Sequence, residues 1–185
     1  MRRIALLAHR WVGLVIAGFI ALAGLTGSLL AFGEDIEALL VPQLHVVPAD
    51  GAYLDAVELR DALQSRLPEG AFVSGLSFQR HAGRSVRFNV SPAETGADDQ
   101  YYVNPYSGQI LGSRKHGDLG QGLRNVMPFV LLLHMRLVAG DAGELILGLA
   151  ALLWLFDCFV GLYLTFPGRR QRVHESPSWI RRWGQ

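Results

Sequence analysis

The apolar residues of this chain fall into two long unbroken runs with an alternating, mixed segment between them. Trp11 to Phe32 is 22 residues without a charge. At about 1.5 Å of rise per residue such a helix spans roughly 30 Å, the hydrocarbon thickness of a bilayer. Leu145 to Gly168 is a second run, interrupted only by Asp157. Both read as transmembrane helices. A cleaved leader would have an apolar stretch of about 7–15 residues ending in small residues. The first run is longer and passes into Gly33, Glu34 and Asp35, so it is expected to be retained.

Between the runs the periodicity changes. "GEDIEALLVPQ" reads as one or two further helical turns stopped by Pro42, and "LHVVP" as a short strand. "YLDAVELRDALQSRL" repeats apolar residues at helical spacing, at Leu54, Val57, Leu63 and Leu67, and Pro68 and Gly70 stop it. "AFVSGLSFQ" and "RSVRFNVS" alternate as half-buried strands do, and "DQYYVNPYSGQILG" reads strand, turn, strand. "RNVMPFVLLLHMRLVAGDAGE" is apolar but too short to cross before His134, and reads as an interfacial helix with Gly140 and Gly143 permitting a bend. The expected fold class is therefore a two-span α-helical membrane protein with a small α+β domain. Its divisions are a cytoplasmic N-terminus (1–10), helix one (11–32), an external domain (33–125), an interfacial helix (126–140), helix two (145–168) and a basic tail (169–185).

Composition supports this class. The chain has 185 residues, half of them hydrophobic, and a mean hydropathy of +0.24. Its formal charge of +1 hides an asymmetry. Arg2, Arg3 and Arg10 precede helix one, and Arg169, Arg170, Arg172, Arg181 and Arg182 follow helix two. From Gly33 to Asn125, twelve acids face eight bases. The positive-inside rule then places both ends in the cytoplasm and the middle outside, in a bacterial inner membrane the periplasm. The arginines sit at membrane boundaries and make no nucleic-acid patch. One cysteine, Cys158, forms neither an internal disulfide nor a cysteine metal cluster. There is no phosphate loop, nucleotide fingerprint or nucleophile elbow.

Candidate chemistry rests on histidine. His45, His81 and His116 lie among polar or turn-like neighbours and read as surface or loop residues; His174 lies in the basic tail. His9 and His134 sit instead in apolar surroundings at opposite membrane boundaries. Ionisable groups there are costly and tend to mark function. Two readings stay open from the residues alone: axial ligation of haem iron, or an interfacial histidine beside Arg10 or Arg136 contacting lipid headgroups. Small residues on helix one (Gly13, Ala17, Gly18, Ala21, Gly24, Gly27, Ser28) and helix two (Gly148, Ala151, Gly161) suit either close helix packing or a flat cofactor. Asp157, near the middle of helix two, is expected to face the bundle interior, its partner and role open.

"HRWVGL" leading to "LAGLTGSLLAF", then "YYVNPYSGQILG", then "LLLHMRLVAGDAGELILGLAALLWLFDCFVGLYLTFPGRR" resemble the PepSY-associated transmembrane family. "DCFVGLYLTFP" is most similar to the inner-membrane ferric-siderophore reductases of that family. The resemblance covers essentially the whole chain. It implies a membrane protein with two b-type haems and a periplasmic PepSY-like domain, reducing ferric iron held by a siderophore. It also implies that His9 and His134 are haem ligands, with Arg10 offsetting propionate charge. Members typically have more helices and a longer chain, so this one looks like the N-terminal, two-helix half. His9 and His134 lie roughly 30 Å apart across the bilayer and cannot share one iron. Each would hold a separate haem, its second ligand coming from later helices, a second copy or a sister chain. The implied partners are a ferric siderophore, membrane lipid and a quinol or protein electron donor. The alternatives are a non-enzymatic membrane-anchored module that binds or regulates an external partner, and an iron-uptake accessory protein.

Overall fold

The computed structural model describes residues 2–49, 51–77, 81–92 and 94–166. The expectations for the tail at 169–185, His174 included, and for the end of helix two at 167–168, lie outside these residues. The chain divides into two compact units, Met1–Leu25 with Met135–Gln185, and Thr26–His134.

The first unit is built on two long helices, α1 (Arg2–Ala31) and α6 (Gly140–Thr165). Their most apolar windows reach mean hydropathies of 2.2 and 2.3, yet only 11% and 6% of those windows are buried. Helices this apolar and this exposed are not the core of a soluble domain; they present the surface that lipid requires. The helix begins at Arg2 rather than near Trp11, because "RRIALLAHR" consists of good helix formers without a breaker. The Arg2 guanidinium donates to the carbonyls of Leu164 (2.9 Å) and Phe166 (2.8 Å), at the end of α6. It thereby satisfies acceptors that a helix C-terminus leaves open.

Before α6 the chain turns through a strained joint. α5 (Val126–Arg136) ends, and Leu137 and Val138 take left-handed φ values of 50° and 56°. A β-branched residue there costs energy, about 1–3 kcal/mol. The joint is held by Ala139 N–H donating to the Arg136 carbonyl at 2.8 Å. Gly143 presses on the same carbonyl: a Cβ built there would lie 1.8 Å from its oxygen. The expected bend at Gly140 is present, Gly140 itself taking a φ of 59°, and Leu137 and Val138 share the left-handed turn with it.

The second unit holds the α+β domain. α2 (Gly33–Leu40) and α3 (Pro42–His45) lead to α4 (Ala56–Gln64). β1 (Phe72–Leu76), β2 (Val86–Ser91), β3 (Gln100–Val103) and β4 (Ile110–Arg114) form an antiparallel sheet in the order β1-β2-β3-β4. A 3₁₀ segment (Leu119–Asn125) then joins α5. On one sheet face Val86, Phe88, Val90 and Val103 bury against Leu59 and Leu63 of α4. On the other, Tyr102 packs with Val41 and Leu44 of the α2–α3 segment. Gly112 lets Leu44 approach: a Cβ there would sit 2.6 Å from the leucine Cδ2.

Two local expectations are corrected. "LHVVP" is not a strand: Pro42 starts α3 instead of only stopping α2, since its missing N–H costs nothing at a first helical position. Only Val46 keeps a single bridge, to Arg84. On α4 the buried stripe runs through Leu59 and Leu63, while Val57 is exposed.

Candidate functional site

His9 and Asp157 meet inside the first unit. His9 Nδ1 lies 3.0 Å from Asp157 Oδ1. The carboxylate is almost fully buried and the imidazole half-exposed. Glycines one helical turn away make the space. A Cβ at Gly13 would lie 3.6 Å from the second Asp157 oxygen, and one at Gly161 would lie 3.2 Å from His9 Cε1 and 3.7 Å from Nε2. With Nδ1–H donated to the carboxylate, the Nε2 lone pair is the one left for an electrophile. Asp157 has therefore found its partner, and of the small residues Gly13 on α1 and Gly161 on α6 serve this contact. Arg10 and Trp11 are exposed beside it.

His134 has the same design in the second unit. Its Nδ1 lies 2.8 Å from Thr26 Oγ1, a hydroxyl buried in α1. Gly27, the next residue, lies against the ring: a Cβ there would be 3.4 Å from His134 Cε1. With Nδ1–H donated to the Thr26 hydroxyl oxygen, Nε2 is the nitrogen left to bind.

The α+β domain contains a polar cluster that the sequence reading missed. Arg114, 1% exposed, donates to Glu37 Oε1 (2.6 Å), Gln100 Oε1 (2.7 Å) and the Arg124 carbonyl (2.5 Å). Its guanidinium carbon lies 5.3 Å from the Tyr102 ring centroid. His45 stacks edge-on to the same ring at 4.7 Å. His45 is not a surface residue: it is buried, and burial lowers its pKa from 6.5 to about 4 despite the opposing Glu37 carboxylate. His116 is half-buried, and its pKa is likewise lowered, chiefly by burial and then by Arg114. Tyr102 is pushed up to about 12 by burial, against the pull of Arg114. His81 does remain at the surface, 3.9 Å from Glu34. The visible signal was cations at strand positions, Arg87 and Arg114, facing away from the α4 core; spacing alone could not reveal their distant partners.

Two imidazoles, each oriented through Nδ1 and cleared by a glycine, fit axial ligation of a haem iron by one histidine at each place. Among the described residues no group of three or more His, Cys, Asp or Glu side chains is arranged to hold a bare metal ion.

Two apolar helices long enough to cross a bilayer, with a four-stranded α+β domain between them in sequence, define a two-span membrane protein. The chain belongs to the family described as the PepSY-associated TM region, which matches residues 6–185. No curated protein matches the chain.

Proposed function

We propose that this protein is a haem-b electron-transfer protein of a bacterial inner membrane, or half of one, that serves the reduction of ferric siderophore iron at the periplasmic face. One observation carries the reading: both boundary histidines are built alike, with Nδ1 held by an oxygen from another helix and a glycine against the ring. An interfacial histidine that only met lipid headgroups would need neither feature. Haem b would supply one-electron carriers, and one electron converts a ferric chelate to a ferrous one, which oxygen ligands hold less tightly.

The residues of the chain perform the rest. Asp157 accepts from His9 Nδ1, fixes the tautomer and raises the electron density at Nε2. Thr26, accepting from Nδ1–H, orients the His134 ring, though a neutral hydroxyl does not fix the tautomer as a carboxylate does. Gly161 and Gly27 keep the ring faces open. Arg10 offsets propionate charge near His9. Each histidine supplies one ligand, so the second comes from further helices or another copy. The electron donor is a quinol or a protein.

The test is a spectrum of the purified full chain supplied with haem, oxidised and dithionite-reduced. Histidine-ligated b-type bands are expected, six-coordinate only where another copy or added helices supply the second ligand, with His9→Ala and His134→Ala each removing about half the bound haem. Unchanged haem content in both variants would overturn the reading. A second reading is a non-enzymatic module that binds an external partner or assists iron uptake. It is favoured by the domain having its own core, around Leu63 and Phe88. It predicts a partner crosslinked through the domain and no haem.

A further inference from the structure

The second unit contains a cavity of about 560 Å³, within the range of small-molecule sites. Its walls differ. Leu30 of α1, Phe32 between α1 and α2, and Met127 and Leu131 of α5 give an apolar side, while Arg84, Arg87, Arg114, His81 and His116 come from the domain. A smaller cavity shares Arg84, Arg87, His81, Glu34 and Glu37 with it and adds His45 and Tyr102. The four buried side-chain atoms without a hydrogen bond among the described residues are His45 Nε2, Arg87 Nε, Tyr102 Oη and His116 Nδ1. All four residues line these two cavities. Buried polar atoms are seldom left unpaired in a native protein, and four around two cavities that share their walls, Arg87 and His116 at the larger, point to something that occupies the space.

The charges narrow the class of occupant. Arg114 is bound to Glu37 and Arg84 to Asp35 at 2.9 Å. Burial keeps His45 and His116 neutral at pH 7. Glu34, Asp35 and Glu37 also line the cavity; Asp35 and Glu37 are held by arginines and Glu34 lies 3.9 Å from His81, which leaves Arg87 as the lining cation with no carboxylate partner among the described residues. An occupant that suits all of this is an apolar body bearing carboxylates. The apolar wall is also close to His134 along the chain: Leu131 precedes it by one turn of α5, and Leu30 follows Thr26 by one turn of α1.

We propose that this cavity receives the propionate carboxylates of the haem held by His134, with Arg87 as their principal counter-charge and His116 as a further hydrogen-bond partner. This rests on the haem reading of His134 given above, and it assigns the outer haem a docking site in the α+β domain.

The test uses the full-length His9→Ala chain in detergent, which leaves the His134 site alone, titrated with haem b and with its dimethyl ester by absorbance. The ester is expected to bind about tenfold more weakly, because charge-assisted hydrogen bonds are lost. Arg87→Leu should bind both forms alike, and Arg87→Lys should restore part of the discrimination and control for folding. Equal affinities for the two forms in the Arg87 chain would overturn this inference alone. No haem uptake through His134 would overturn the underlying reading as well. Citrate and inorganic phosphate are titrated as soluble anions. If either raises the melting temperature in an Arg87-dependent way without competing with haem, the cavity takes a free anion and the proposal is wrong.

Discussion

At the scale of single residues, the pairing of Asp157 with His9 has a measurable consequence. A group that accepts from the other ring nitrogen of a ligating histidine typically contributes about 10–100-fold in affinity for what the histidine binds. Asp157→Ala is therefore expected to weaken haem uptake by that factor in a His134→Ala background, measured by titration. Asp157→Asn, which still accepts from Nδ1, should lose less; equal affinities in all three chains would show that the contact does not orient a ligand. His45 gives a prediction in pH. Its folded pKa, about 4, lies below its ordinary 6.5. Between those values the unfolded chain binds a proton that the folded chain refuses, so stability rises with pH in that window. Acidification from 6.5 to 4 should remove up to roughly 3 kcal/mol, the shift converted at 1.36 kcal/mol per unit. His116 adds in the same direction. Denaturant unfolding of the full chain in micelles at several pH values should show this slope, and His45→Gln should flatten it. Neither pair was legible in the sequence. His9 and Asp157 are 148 positions apart and Glu37 and Arg114 are 77 apart, and no local pattern records which distant side chain fills a given space. What was legible was the anomaly itself, a titratable group in an apolar run, because desolvation cost is a property of the residue and its immediate neighbours.

At the scale of elements, period and breaker chemistry carried most of the information. The alternation in "RSVRFNVS" puts Val86, Phe88 and Val90 on the α4 face, and the structure buries all three. α4 also begins where local chemistry dictates. The Asp55 carboxylate accepts from Val57 N–H at 2.8 Å, and Glu58 reaches back to Asp55 N–H at 3.2 Å. Asp55→Ala should cost about 1 kcal/mol of domain stability, read as a shift in the unfolding midpoint. "LHVVP" misled because a four-residue alternation is a weak signal, and tertiary packing of Leu44 and His45 against Tyr102 decides it. The joint between α5 and α6 was legible only as glycines. That two non-glycine residues, Leu137 and Val138, would share the left-handed turn with Gly140, and that Gly143 would be needed for its closeness to Arg136, are constraints no dipeptide shows. Gly143→Ala should break the joint, since the clash is with backbone that no rotamer relieves. Proteolysis near residues 137–139 should accelerate relative to Gly148→Ala, a position with open space.

At the scale of the whole molecule, the arrangement of charge proposes a single orientation, with the α+β domain and its cavity outside and both chain ends inside. This follows from arginines clustered beyond the two apolar runs and a net acidic segment between them. It matters for the function proposed, because a haem held by His134 faces a periplasmic chelate only if the domain is exported. The orientation is tested with single cysteines in a Cys158→Ala chain, one at Thr95, in an exposed turn of the domain, and one at Arg3, at the start of α1. A membrane-impermeant maleimide should label Thr95→Cys in intact cells and Arg3→Cys only after permeabilisation. The reverse pattern would place the carboxylate-binding cavity on the cytoplasmic side. His134 would then stand at the entry of electrons and His9 at their exit, and the reduction of an external ferric chelate would have to occur beside His9, away from the domain. Labelling thus decides more than topology: it fixes which histidine faces the donor and which the acceptor.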